Sequence, residues 1–121
     1  MKRDMDLVRE IMLKVENLPF VDAPQEVEVE GRSPLEISYH IMLLGEAGFI
    51  EALELPMQEG PVWKAKRLTY SGHEFLDAAR SDTVWAKAKA AVLKSSGALT
   101  MEGLKVALPI VVKSLIVGHS G

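Results

Sequence analysis

The chain contains no cysteine. A disulfide framework, a thiolate metal site and a cysteine nucleophile are therefore excluded, and a reducing compartment is compatible with the sequence. No apolar run approaches the roughly 18 residues that a membrane-spanning helix needs. The opening Met1-Lys-Arg-Asp-Met-Asp-Leu7 has charge but no apolar stretch behind it, so it does not read as a secretory signal. There is no glycine-rich phosphate loop, internal repeat or low-complexity segment. A basic block is also missing: net charge is −3 over 121 residues, and no segment is strongly cationic. Long-range attraction for nucleic acid is absent, because phosphate binding draws on clustered Lys and Arg. What remains is 48% apolar and 26% charged residues, an ordinary balance for a globular protein of one small core.

Periodicity gives the order of elements. Asp4 reads as the N-cap of a first helix to Glu16, with Val8, Ile11, Met12 and Val15 inward and Asn17 and Pro19 ending it. Gln25-Glu-Val-Glu-Val-Glu30 alternates acidic and β-branched residues, the pattern of a half-buried strand, with Gly31 closing it. Its glutamates read as a solvated face. Ser33 then caps a second helix, with Pro34 at its favoured first position. Ile37, Ile41 and Leu44 share the inner face, whereas Ser38, Tyr39, Met42 and Glu46 point away. Gly48 stands where a left-handed stop is needed.

Phe49 to Leu55 and Val62 to Tyr70 read as a hairpin with Pro56–Pro61 as its tip. Thr69 is the expected cap of a helix through Arg80, Asp82 of one from Thr83 to about Lys94, and Thr100 of a last one from Met101 to about Val117. The expected fold class is α+β and winged-helix-like: helix, strand, recognition-type helix and β-hairpin wing over 1–80, followed by a helical extension over 81–121. The helix that usually precedes a recognition helix has no room between Val21 and Arg32, or else the strand reading there fails.

Two resemblances arise at these residues. Ser38–Ile50, ending in Leu44-Gly-Glu-Ala-Gly-Phe-Ile50, is similar to the end of the recognition helix in winged-helix repressors of multiple-drug and metal response. More of the chain resembles a family of small bacterial and phage or prophage proteins of unknown function with a winged-helix-like domain. That resemblance is carried by Met1–Arg9, Tyr39-His-Ile41, Arg67-Leu-Thr-Tyr-Ser-Gly-His-Glu-Phe-Leu-Asp77 and Asp82-Thr-Val-Trp85. It implies a phage-linked cytoplasmic protein and supplies no catalytic residue.

Two functions follow as expectations. In a DNA-binding regulator, Ser38 and Tyr39 would meet base edges while Lys64, Lys66 and Arg67 held the backbone. Against this, Glu36 and Glu46 repel phosphate, and the hairpin cations also fit an ordinary solvated face. In a protein-interaction module that reuses the fold, Tyr39, Met42 and Leu43 would contact a host or phage protein, unless they are buried against the wing or the C-terminal helices. The sequence argues against an enzyme and calls for no cofactor. His40, His73 and His119 lack metal-ligand spacing. The last helix is apolar over most of its circumference, with Glu102, Lys105 and Lys113 confined to one arc and Pro109 expected to kink it. A homodimer built partly on Leu104, Leu108, Val111, Val112 and Leu115 would bury it. No membrane binding is expected.

Overall fold

A computed structural model describes residues 1–120, with side chains described through Val117. Five helices and one two-stranded antiparallel hairpin make a mixed α+β chain: α1 (Met5–Glu16), α2 (Pro34–Glu46), β1 (Ile50–Leu55), β2 (Val62–Leu68), α3 (Tyr70–Ala79), α4 (Asp82–Ser96) and α5 (Met101–Ser120). The chain divides into two compact units, one from Met1 to Glu74 and one from Phe75 onward. No described helix is long and apolar enough to cross a membrane.

In the first unit the local signals act as physics demands. The Asp4 carboxylate accepts the backbone N–H groups of Asp6 and Leu7, so it caps α1 and faces the positive end of its dipole. Leu7, Val8, Ile11 and Met12 fall on one side and are fully buried. Ser33 and Glu36 form a reciprocal capping box at the start of α2, with Pro34 in the first turn. Ile37, Ile41 and Leu44 line the buried side of α2, which packs on α1 and on both strands. Gly48, at φ +79°, ends the helix in the left-handed conformation and turns the chain into β1.

The hairpin keeps antiparallel register from Leu55↔Val62 to Ala52↔Ala65, then slips between Glu51 and Ala52, so that Lys66 is the extra residue of a bulge. Ala65 faces the core and is fully buried.

Two sequence expectations are corrected here. Gln25–Glu30 is not a strand: its only ladder contact is an isolated bridge between Gln25 and Ala65, with both backbone bonds formed. Burial nevertheless alternates as the pattern requires, with Val27 and Val29 inward and Glu26, Glu28 and Glu30 outward. The apolar period thus sets the facing, while too few backbone groups of β2 are reached to build a ladder. No helix lies between α1 and α2. The cap of α4 is Ser81, whose hydroxyl accepts from Val84 N–H; Asp82 is the first helical residue and places its charge in the first turn.

The second unit is helical. Ser81 caps α4 and Gly97, at φ +75°, ends it. Phe75 and Trp85 meet edge to face with centroids 6.4 Å apart. Thr100 accepts from Gly103 N–H at the start of α5, which then runs through Pro109 without a break. Gly103 lies so close to Val92 that a Cβ there would approach its methyl group to 2.7 Å, which marks a tight approach between α4 and α5.

A second close approach supplies a test. A Cβ at Gly72 would lie 2.0 Å from the Phe49 carbonyl oxygen, which already accepts Thr69 N–H. The Gly72→Ala protein is expected to lose about 1–3 kcal/mol or more, because rigid backbone must move. Urea unfolding of the two proteins measures it, and equal midpoints would contradict the close approach.

Candidate functional site

The surface formed by α2 and the hairpin carries every residue singled out for DNA or protein contact, and the structure sorts them. Ser38 is buried, and its hydroxyl accepts the backbone N–H of Trp63 on β2 at 2.8 Å. The side chain expected to meet a base edge is thus turned toward β2, where its hydroxyl satisfies a strand N–H. Tyr39, Met42 and Leu43 are each half-buried. The Tyr39 ring meets His40 edge to face at 5.4 Å. Leu35, in the first turn of α2, is 70% exposed and is the largest apolar side chain that helix offers to solvent.

On the hairpin, Lys64 and Lys66 are half-buried and flank the buried Ala65. Arg67 differs from them. Its guanidinium bonds Glu51, the residue directly opposite on β1, at 2.7 Å, and also donates to the Leu68 carbonyl. A phosphate would have to compete with a carboxylate already in place.

Between α2 and the hairpin lies an open groove. Met42, Ala52, Leu53 and Trp63 supply its apolar lining, with Gly45 and Ile50 beneath. Glu46, Glu51 and Lys66 stand at its edge. Gly45 matters to this shape: a Cβ there would come 3.1 Å from Ala52 Cβ, so the missing side chain lets β1 sit close against α2.

On the other side of α2 the sequence conceals a polar ring. Arg32 bonds Asp4 at 2.7 Å and Glu36 at 3.4 Å. The Asp4 backbone N–H donates to His40 Nε2 at 2.9 Å. Nδ1 therefore carries the ring proton and donates to the Glu36 carbonyl at 2.7 Å. Asp4, His40, Glu36 and Arg32 close a circuit that ties the start of α1 to α2. Burial by itself raises the Asp4 pKa, but Arg32 and the N–H groups of Leu7 and Asp6 outweigh it, and the net direction is downward. Glu36 is lowered first by the Ser33 N–H and then by Arg32. His40 thus has a structural post. The signal in the sequence was the spacing of Arg32, Glu36 and His40, each four residues apart; their distant partner Asp4 left none.

The dimer-face residues also divide. Leu104 and Leu108 are fully buried within the chain, whereas Val111, Val112 and Leu115 are half-buried. Among the described residues no three His, Asp or Glu side chains are grouped to hold a metal. His119 lies outside the described side chains.

The chain belongs to the family described as "Hypothetical protein (DUF2513)", whose sequence profile matches residues 2–98. An uncharacterized protein of Haemophilus influenzae is 33% identical over 119 residues, covering 96% of this chain and 99% of that protein. No solved structure matches the chain.

Two outcomes are expected. Ser38→Ala leaves the Trp63 N–H without its acceptor and lowers stability by about 1–3 kcal/mol in chemical denaturation. The second concerns acid. Asp4 and Glu36 bind protons more weakly folded than unfolded, so their contribution is complete above the ordinary carboxylate values of 3.8 and 4.5 and drains away as pH falls through the folded values. Unfolding followed from neutral pH down to pH about 3 should show this loss. An Arg32→Met protein should be less stable at neutral pH and lose less over the acid range; parallel curves would remove Arg32 from the explanation.

Proposed function

We propose that this protein is a winged-helix-like protein-interaction module, working through the groove between α2 and the hairpin. The winged-helix-like reading is supported by order and contact: a helix, a segment bridging to the hairpin at Gln25, a second helix on the sheet, then the hairpin itself. A missing helix before α2 and a third strand reduced to one bridge set it apart from the usual form of that architecture.

The observation that carries the functional reading is the composition of α2. Pro34–Glu46 contains no Lys or Arg and two Glu, and its one short polar side chain, Ser38, is committed to Trp63. A helix reading a major groove needs donors for base edges and cations for phosphates. This one offers Leu35, Tyr39, Met42 and Leu43 instead, which suits an apolar partner surface. Glu46 stands at the groove's edge and forms no ion pair among the described residues. The fitting partner is an extended segment with an apolar anchor for Met42, Leu53 and Trp63 and a basic residue beside it for Glu46. The resemblance to phage and prophage proteins makes a host or phage protein the natural source of such a segment.

DNA binding is the second reading. Lys64 and Lys66 favour it, since both lie on the hairpin strand where a wing meets a phosphate backbone.

One set of titrations separates the two. The isotope-labelled full chain is titrated with a short synthetic Leu/Lys peptide, and separately with mixed-sequence duplex DNA at low salt. The peptide is expected to shift resonances of Met42, Leu53 and Trp63, and Glu46→Lys to weaken that binding several-fold. DNA is expected to produce no saturable shift. Salt-sensitive DNA binding that Lys64→Glu/Lys66→Glu abolishes, with the peptide silent, would reverse the assignment.

A further inference from the structure

The outer face of α5 carries a feature that neither reading above uses. Leu104 and Leu108 are spent inside the chain, so the surface left by this helix is its opposite side. There Val106 is 65% exposed, Ile110 63%, Ile116 64% and Val117 59%. Pro109 and Lys113 are exposed between them. At 100° per residue these six positions and Glu102 fall within an arc of about 120°. They form one stripe along the helix, in the three-and-four spacing of a helix–helix seam.

We propose that this stripe pairs with the same stripe of a second copy, antiparallel, about a two-fold axis near residues 107 and 108. The charges on the stripe select both occupant and direction. It has one carboxylate, Glu102, at its start and one ammonium, Lys113, eleven residues on, about 16 Å along the axis. Laid antiparallel on itself, the seam sets Val106 against the partner's Pro109. In the same register Glu102 meets the partner's Lys113 and Lys113 the partner's Glu102. A parallel pairing would instead stack like charge on like charge at both ends. Glu102 has a loose contact with Lys105 at 3.7 Å, both side chains well exposed, which is too weak to hold it from a better partner. A second copy is thus complementary to the stripe in charge, and the interface is isologous as a two-fold dimer requires. The dimer face expected from sequence moves by half a turn: Leu104 and Leu108 hold the fold, and Val106 and Ile110 hold the partner.

The full chain should show a concentration-dependent dimer in sedimentation equilibrium at micromolar concentrations. Val106→Asp/Ile110→Asp should give half that mass with unchanged helical circular dichroism; because both sites are exposed, folding should survive. Charge exchange provides the sharper arm. Glu102→Lys alone and Lys113→Glu alone should each weaken the dimer, and Glu102→Lys/Lys113→Glu together should restore it. A chain that stays monomeric at high concentration, or a double exchange that fails to restore association, overturns the proposal. Sedimentation of a monomeric chain with anionic phospholipid vesicles would overturn it in favour of a lipid surface.

Discussion

The first unit depends on a closed polar circuit between two helix beginnings. Asp4 caps α1 with its carboxylate while its own N–H is held by His40 from α2. Glu36 closes the capping box of α2 and shares Arg32 with Asp4. Asp4 therefore satisfies a helix terminus and makes long-range contacts together. Helix ends leave unpaired N–H groups that must find partners wherever water is excluded, and here the same side chains fix where the two helices begin relative to one another. The apolar faces of α1 and α2 supply most of the burial. The circuit decides which residues of those faces meet, and so where α2 presents its outer side and how the hairpin rests on it.

That placement explains what was legible in the sequence and what was not. Local rules act over a few residues, so the Asp4 and Ser33 caps, Gly48 as helix stop, and the inward Ile37, Ile41 and Leu44 could all be read directly. The alternating run after Gln25 announced its two faces correctly. It could not announce a ladder, because ladder formation depends on what β2 brings alongside, and only Ala65 comes within reach. Asp82 misled for a related reason. A capping side chain is defined by the residue it precedes, and Ser81 occupies that place one step earlier.

The site residues divide along the same line. Ser38 was read as outward from its angle on α2, and nothing in its neighbours signals a bond to a residue 25 positions away. Arg67 was read as a backbone contact or part of a solvated face, and its partner Glu51 becomes visible only once the register of the hairpin is fixed. The apolar circumference of α5 was plain from the sequence. Which part of it the chain itself consumes was not, because that depends on how α4 and α5 pack where Gly103 meets Val92. In each case polarity was readable and partnership was not.

The bond from Trp63 to Ser38 has a further consequence for the groove. It joins the middle of α2 to the start of β2, so the two walls cannot separate or slide without breaking a part-buried hydrogen bond. Gly45 beneath Ala52 prevents slack on the other side. The recess is therefore braced at two points. A segment of the proposed kind would bear the entropy of its own ordering and add little for the receiving surface, which is how preorganisation favours binding. The hydroxyl that a DNA-reading helix would turn toward a base here joins α2 to the strand that carries Trp63.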